Sequence, residues 1–145
     1  MNNNIFESVK RCNYLYGELN TEYHNASLKL GLSDSAMQIL YTICNFGESC
    51  LITDICRLTG LSKQTVNSAL RKLEGDDIIR LESVTPKSKR VCLTERGKTL
   101  SKKTALRLIE AENAVFASWT EDEVRQYIKL IERFLVMFKE KTEEF

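Results

Sequence analysis

The order of elements predicted between residues 52 and 93 constrains the fold of this chain more than any other feature. A short helix closes at Gly60, and a second helix starts after Ser62, a residue type that caps helix N-termini. Two short β-segments follow on either side of Pro86 and predict a hairpin. Two helices joined by a short glycine turn form a helix-turn-helix, and the hairpin behind them predicts a wing.

The second helix of this motif, called the recognition helix below, has an outer face suited to nucleic acid. Its apolar positions recur at helical spacing and are Val66, Ala69, Leu70 and Leu73. Its other positions up to residue 73 are polar or basic, and Lys72 is one of them. The predicted DNA contacts on this helix, including its cap, are Ser62, Lys63, Gln64, Thr65, Asn67, Ser68 and Arg71. In the major groove, the amides of Gln64 and Asn67 match the edge of adenine. Lys63 and Arg71 can donate hydrogen bonds to guanine or to phosphate.

The predicted hairpin has a basic tip. Residues 78–84 and 90–93 are predicted strands, with a turn over residues 85–89 between them. The positively charged side chains at the tip are Lys87, Lys89 and Arg90. A basic tip can lie along the minor groove while the recognition helix occupies the major groove, so these side chains are predicted DNA contacts.

The net charge of +1 conceals an uneven distribution of charged residues along the chain. Residues 57–72 contain four basic residues and no acidic one, and residues 83–103 contain seven basic residues against Glu95 alone. From residue 110 onward, nine acidic residues accompany five basic ones. A basic middle in a nearly neutral chain is typical of a protein that binds a polyanion on one surface. The alternative is a set of solvated faces that neutralise the acidic ends.

Helical periodicity on both sides of this motif predicts a mainly α protein with a small β-hairpin wing, which is an α+β fold. A long first helix covers about residues 5–29, and a second helix starts after Ser33. Behind the hairpin, Thr94 caps a helix that continues to about residue 118, and a capping box at Thr120 starts the last helix. The chain has one Pro and six Gly, too few for an all-β fold with many tight turns.

The first and last helices each carry an apolar stripe, which predicts a dimer. The last helix is predicted to bury Val124, Tyr127, Ile128, Ile131, Phe134, Leu135 and Phe138. Together with Phe145, these side chains form more apolar surface than a lone small domain exposes. A dimer also fits DNA binding, because two-fold proteins match palindromic sites. We therefore predict one domain over residues 1–145, with a winged helix-turn-helix lobe at 33–100 and dimerisation helices at 1–30 and 101–145. The alternative is that both helices fold back on their own lobe.

In this order and spacing, the elements resemble the MarR family of winged-helix transcriptional regulators. The resemblance is carried by residues 61–74, 78–80 and 87–97, and more weakly by Leu32-Ser33 and residues 120–123. It implies an obligate dimer with one winged helix-turn-helix lobe per subunit, bound to a pseudo-palindromic operator. It also implies repression as the default, and an effector that loosens the grip on DNA.

Two positions depart from the family pattern. The family's wing often carries Asp-x-Arg before the returning strand, where this chain has Thr85 and Lys87. Lysine offers a point charge where arginine offers a planar fork, so a weaker minor-groove contact is expected. The family usually places Gly just before the first wing strand, where this chain has Asp77, and a left-handed backbone is expected there.

The resemblance further implies a signal that releases the DNA. A small apolar or phenolic effector would bind between the dimer base and the DNA-binding lobe. Candidate effector-pocket residues are Cys12, Tyr14, Tyr16, Tyr41, Phe46 and Trp119. The alternative for each aromatic residue is an ordinary place in the core. Some family members sense peroxide through a cysteine in the first helix, which makes Cys12 a candidate for an oxidative signal.

Several classes of function lack support in the sequence. There is no phosphate-binding loop, no H-E-x-x-H and no G-x-S-x-G motif, so neither an enzyme nor a cofactor is expected. The five cysteines form no C-x-x-C pair, and His24 is the single histidine, so a zinc site from neighbouring ligands is not expected. With no secretory pattern and no apolar run of about 18 residues, we expect a cytoplasmic protein that does not enter membranes.

Together these patterns predict a sequence-specific DNA-binding transcription regulator, by family default a repressor. Its predicted partners are double-stranded DNA, a second copy of the chain and a small effector. The rival is a winged-helix protein-interaction module without sequence-specific DNA binding, which the basic wing and the acid-free recognition helix disfavour. Binding that weakens steeply with salt would distinguish DNA binding from the rival.

Overall fold

The structure, a computed structural model, describes residues 3–145. Its helices are α1 (Asn3–Lys29), α2 (Asp34–Asn45), α3 (Ile52–Thr59), α4 (Lys63–Gly75), α5 (Glu95–Lys103), α6 (Ala105–Ala117) and α7 (Glu121–Thr142). Its strands are β1 (Ser49–Leu51), β2 (Ile79–Thr85) and β3 (Ser88–Leu93). The described residues form two compact units, which meet in sequence between Leu108 and Ile109, within α6. The predicted fold class, mainly α with a small wing, is confirmed.

Hydroxyl side chains start the helices of the first unit at the predicted positions. Ser33, Ser62 and Thr94 each accept a hydrogen bond from a backbone N–H three residues on, at 3.3, 3.1 and 3.0 Å. Each bond satisfies a donor that the first helical turn leaves free. Gly60 ends α3 with φ +67°, a left-handed conformation that glycine adopts without steric cost. The short link from Gly60 to Ser62 therefore turns the chain from α3 into α4.

A single apolar core holds the helix-turn-helix to the wing. Its most buried members come from α2, α3, α4 and β3, namely Ile39, Leu40, Ile43, Ile55, Val66 and Val91. Each fully buried aliphatic side chain contributes on the order of 1.5–3 kcal/mol relative to exposure. Because α4 and β3 share this core, the recognition helix and the wing are held in a defined relation to each other.

The wing belongs to a three-stranded antiparallel sheet with the order β1-β3-β2. Ile79 pairs with Leu93 and Thr85 with Ser88, so only Pro86 and Lys87 lie between the paired ends. The turn is thus tighter than the predicted turn over residues 85–89. Strand β1 was not predicted, because three residues are too few to show the two-residue alternation of a strand. It forms by pairing with β3, far along the chain.

A left-handed residue links α4 to the first wing strand, as predicted. Asp77 has φ +59° and is the only non-glycine residue with positive φ among residues 3–145. Its carbonyl accepts a hydrogen bond from the Thr94 hydroxyl at 2.6 Å. This conformation brings Cβ of a non-glycine residue close to a carbonyl oxygen and costs free energy. The position therefore carries strain that a glycine would not.

Asp77→Gly is expected to raise the free energy of unfolding by up to about 1 kcal/mol, because glycine removes this steric cost. The melting temperature of the purified variant measures the effect. Asp76→Gly is the matched control, since Asp76 has φ −86° and glycine there only adds backbone entropy to the unfolded chain. An unchanged or lower melting temperature for Asp77→Gly would argue against strain at this residue.

The helix predicted to run from Thr94 to about residue 118 is interrupted, so that prediction was wrong in its continuity. Thr104 has φ −130° and ψ −92° and separates α5 from α6. Its hydroxyl donates to the Leu100 carbonyl at 2.8 Å, and its N–H donates to the Ser101 carbonyl at 3.2 Å. Threonine competes for backbone hydrogen bonds in this way and is a weak helix former. The apolar periodicity continues through the break, which is why the sequence does not reveal it.

The burial predicted for the last helix is not found within the second unit. The box of Thr120 and Glu123 caps α7 as predicted, but no residue of α7 is buried. This unit contains only α7 and the part of α6 from Ile109 onward, so it has no second layer to cover the apolar stripe. The stripe residues, at 39–63% exposure, are Tyr127, Ile128, Ile131, Phe134, Leu135 and Phe138.

Helix α1 shows a similar exposed stripe within the first unit. Its large apolar side chains at 43–61% exposure include Ile5, Val9, Leu19 and Tyr23. No helix formed by residues 3–145 combines the length and the apolar character needed to cross a bilayer.

Candidate nucleic-acid interface

The recognition helix α4 is anchored by one side and presents the other to solvent. Val66, Leu70 and Leu73 are buried. This leaves Gln64, Ser68 and Arg71 exposed in one row at i, i+4 and i+7. None of these three side chains has a hydrogen bond or ion pair with any described residue. The row is therefore free to contact base edges.

The start of α4 places the other predicted contacts in different settings. The Ser62 hydroxyl accepts from the Thr65 N–H at 3.1 Å and donates to the Thr65 hydroxyl at 2.8 Å. These two side chains thus shape the helix N-terminus. Lys63 is exposed beside them, and Asn67 is half-buried at the edge of the exposed row. Gln64 is consequently the more accessible of the two predicted adenine-reading amides.

The wing carries Lys87 at its tip and Lys89 on its returning strand, both exposed. The backbone N–H of Lys87 donates to the Thr85 hydroxyl at 3.3 Å. Thr85 thus shapes the turn, at the position where the family often has Asp. Lys89 pairs with Ser83 across the hairpin.

Arg90 is oriented differently from the two wing lysines. It is half-buried, and its guanidinium donates to the Ser49 hydroxyl on β1 at 3.5 Å. It lies between Leu51 on β1 and Glu82 on β2 in the sheet register. The sequence could not show this orientation because β1 was not predicted. Arg90 is therefore placed to join the strands at the base of the wing.

Some basic side chains in the middle of the chain are neutralised by intramolecular ion pairs. Arg57 pairs with Asp54 at 3.3 Å, and Lys98 pairs with Glu48 and Glu95 at 3.1 and 3.0 Å. Hydrogen bonds from Lys98 to Glu95 and Glu48 raise the pKa of Lys98 above its usual value. The basic residues of α4, the wing and α5 that pair with no described acidic group are Lys63, Arg71, Lys72, Lys87, Lys89, Arg90, Arg96, Lys102 and Lys103. Positive charge available to a ligand is therefore concentrated on these three elements.

The predicted effector-pocket residues lie in separate surroundings. Cys12, Tyr14 and Tyr16 are exposed on α1, and the Tyr14 hydroxyl donates to Glu18 at 2.9 Å. Tyr41 packs half-buried against the core of the first unit, whereas Phe46 is exposed at the end of α2.

Trp119 belongs to the second unit and lies in an aromatic cluster. Its ring makes edge contacts with Phe116 and Tyr127 at centroid distances of 5.2 and 5.4 Å. With Tyr127 and Leu130 it lines a small open cavity of about 320 Å³. The assignment of an effector to any of these residues stays a prediction.

The cysteines divide into buried and exposed thiols. Burial raises the pKa of Cys50 to about 11 and also raises the pKa of Cys44, so both thiols stay protonated and poorly nucleophilic at neutral pH. Cys92 is buried, and Cys12 is exposed. Among residues 3–145, no three side chains of His, Cys, Asp or Glu are grouped as metal ligands.

The exposed row of α4 beside a basic two-stranded wing defines a winged helix-turn-helix protein. The MarR family model matches residues 30–90, which hold α2, α3, α4, β1, β2 and the start of β3. The winged-helix lobe of this chain therefore matches the MarR family model, and the resemblance seen in the sequence is confirmed.

Solved structures of the family share this fold over nearly the whole chain. A MarR family regulator from Neisseria meningitidis has a TM-score of 0.76 and 23% identity, with 99% of each chain covered. A MarR/EmrR family regulator from Acinetobacter has a TM-score of 0.70 and 22% identity, again with 99% of each chain covered. Staphylococcus aureus MarR, solved in complex with salicylate and kanamycin, has a TM-score of 0.68 and 20% identity, with 92% of this chain and 91% of that chain covered. No curated protein sequence matches the chain.

Proposed function

We propose that this protein is a sequence-specific DNA-binding transcription regulator that binds a pseudo-palindromic operator as a homodimer. The observation that carries the proposal is the exposed row Gln64, Ser68 and Arg71 on α4, beside a wing with Lys87 at its tip. A recognition helix of this kind enters the major groove while basic side chains contact phosphates. Repression is the expected sign of regulation, by analogy with the family.

The dimer is supported by the apolar stripes of α1 and α7. Each unit leaves its stripe exposed, including Leu19 on α1 and Phe134 on α7. Exposed apolar surface on this scale marks an interaction site. A second copy of the chain is the partner that fits the function, because a two-fold dimer presents two recognition helices to the two halves of a palindrome.

Release from DNA by a small-molecule or oxidative signal is the other part of the proposal. The similar structure of Staphylococcus aureus MarR holds salicylate and kanamycin, which supports a small-molecule signal. For an oxidative signal, Cys12 is the exposed thiol, whereas Cys50 and Cys92 are buried. Peroxide treatment before an operator shift assay separates the two signals, since Cys12→Ser abolishes only a response to peroxide.

The experiment that tests DNA binding is selection of bound duplexes from a random pool at moderate salt, followed by affinity measurements over a range of salt concentrations. We expect an enriched sequence with two half-sites about one helical turn apart, and an affinity that falls steeply as salt rises because counterions are released. Failure to bind any duplex in dilute buffer would favour the rival, a winged-helix module that binds another protein.

Gln64→Ala is expected to weaken operator binding by about 1–3 kcal/mol and to relax preference at one base pair, because the amide is predicted to read a base edge. Competition binding against operators changed at single positions measures both effects. Gln126→Ala is the matched control, since it removes the same amide from an exposed position on α7. Equal loss on all duplexes would show that Gln64 contacts phosphate instead.

A substitution in the wing is expected to change DNA binding in a different way from Gln64→Ala. Lys87→Ala is expected to weaken binding to all duplexes about equally and to flatten the salt dependence, because a lysine at the tip neutralises a phosphate. A change confined to sequence preference would contradict this assignment of the wing.

A further inference from the structure

Exposed basic side chains continue from the recognition helix onto α5. Lys72 on α4 and Arg96 and Lys103 on α5 line the same cavity of the winged-helix lobe, and all three are exposed. Arg96 and Lys103 are seven residues apart, so they lie on one face of α5, about 10 Å apart along its axis. Lys72, Arg96 and Lys103 are together called the α5 patch below.

The α5 patch begins at the edge of the proposed DNA interface. Lys72 lies four residues after Ser68 on α4, and residues at this spacing are neighbours on a helix surface. Ser68 belongs to the exposed row that is proposed to enter the major groove. A DNA strand that borders this groove on the Lys72 side therefore passes close to the α5 patch.

The positive charge of the α5 patch is not neutralised within the protein. None of its three basic groups forms a hydrogen bond or ion pair with any residue between positions 3 and 145, whereas two carboxylates hold the ammonium of Lys98 on the same helix. Arg96 also lies in the first turn of α5, where a positive charge opposes the helix dipole. Arg96 thus does not stabilise its own helix through the dipole and is available to an anionic partner.

We propose that the α5 patch binds the phosphate backbone of the DNA strand beside the recognition helix, so that α5 contacts DNA together with α4 and the wing. This inference rests on the proposed function. Double-stranded DNA carries one negative charge per about 1.7 Å of its length, so cations that extend over about 10 Å meet several phosphates. The guanidinium of Arg96 matches two phosphate oxygens in a planar, bidentate arrangement. Such contacts carry no sequence information, so they strengthen binding to every duplex.

One acidic residue opposes this interaction. Asp76 is exposed and is the only acidic residue among those that line the cavity. A carboxylate beside the α5 patch repels phosphate groups and offsets part of the positive charge. Asp76 therefore lowers the affinity of the lobe for DNA, and its removal should raise that affinity.

Fluorescence anisotropy tests the proposal on the full chain, with the duplex selected from the random pool and with an unrelated duplex, each over a range of salt concentrations. Lys103→Gln is expected to weaken binding to both duplexes about fivefold at about 0.15 M salt and to reduce the slope of log affinity against log salt by about 0.9, because one phosphate contact is lost.

Lys102→Gln is the matched control for Lys103→Gln. Both lysines are exposed and lie in the last turn of α5, so the two variants lose the same charge and the same interaction with the helix dipole. At about 100° per residue, Lys102 points away from the face that carries Arg96 and Lys103. Lys102→Gln should therefore change the affinity by less than about twofold and leave the salt slope unchanged, because charges without direct contact are screened.

Asp76→Asn tests the same surface in the opposite direction. It is expected to tighten binding to both duplexes at least about twofold, because the repelling carboxylate is removed. A misfolded protein does not bind more tightly, so this result does not depend on how well the lysine variants fold.

The outcomes separate this inference from the proposed function. If the wild type binds DNA with a steep salt dependence but Lys103→Gln behaves like Lys102→Gln, or Asp76→Asn binds no more tightly, the assignment of the α5 patch is wrong and the proposed function stands. If Lys103→Gln changes the preferred sequence, its side chain contacts a base and the assignment is again wrong. If the wild type binds no duplex even in dilute buffer, both proposals fail together.

Discussion

Gly97→Ala is expected to destabilise the winged-helix lobe by about 3 kcal/mol, because a new methyl group would overlap the backbone of Ile78, the residue before β2. A Cβ atom on Gly97 would collide with the carbonyl oxygen of Ile78 and lie 3.0 Å from its carbonyl carbon. That carbonyl is held in place by the N–H and the hydroxyl of Thr94, each at 3.1 Å. Relief of the overlap therefore requires either the first turn of α5 or the start of β2 to move.

Chemical denaturation of the two purified proteins measures this difference. Gly75→Ala is the matched control, because Gly75 also lies in a helix but a methyl group added there would meet no atom within 4 Å. There alanine should leave stability unchanged or raise it by up to about 1 kcal/mol, since it is the better helix former. Similar stabilities for Gly97→Ala and the wild type would show that α5 and β2 are not in close contact.

Phe134→Asp is expected to abolish dimerisation at micromolar concentrations. Phe134 is 63% exposed and stacks on Phe138 with a centroid distance of 5.5 Å, in the middle of the stripe that the proposed dimer covers. Loss of a central aromatic side chain costs an interface at least about 2 kcal/mol, and an unpaired buried carboxylate adds to that cost. A loss of about 2 kcal/mol corresponds to about a thirtyfold rise in the dimer Kd.

Sedimentation equilibrium over a range of protein concentrations distinguishes the monomer from the dimer. Arg133→Asp is the matched control, because it places the same carboxylate at an exposed position outside the apolar stripe. The monomeric variant should also bind operator far more weakly than the wild type, since it presents one recognition helix at a time. A wild-type chain that stays monomeric, or a Phe134→Asp variant that still dimerises, would contradict the proposed dimer.

The helix starts could be predicted because their causes are local. Ser33, Ser62, Thr94 and Thr120 cap their helices through hydrogen bonds to residues three positions away. The strain at Asp77 was foreseen from a departure from the family pattern, and φ +59° confirms the left-handed backbone. The helix-turn-helix likewise follows from an apolar spacing and a glycine turn that lie within a short window of sequence.

The remaining features depend on residues that are far apart in the chain and meet only in the folded protein. Strand β1 exists because β3 pairs with it, and that pairing turns Arg90 towards Ser49. The requirement for glycine at Gly97 comes from the backbone of Ile78, nineteen positions earlier in the sequence. One cavity is lined by Lys72, Arg96 and Lys103, because the shared core packs α4 against the wing and α5 comes directly after the wing in the chain. Periodicity and capping act over one or two helical turns, so they predict where elements begin and end, whereas the contacts between elements arise from burial of a shared core.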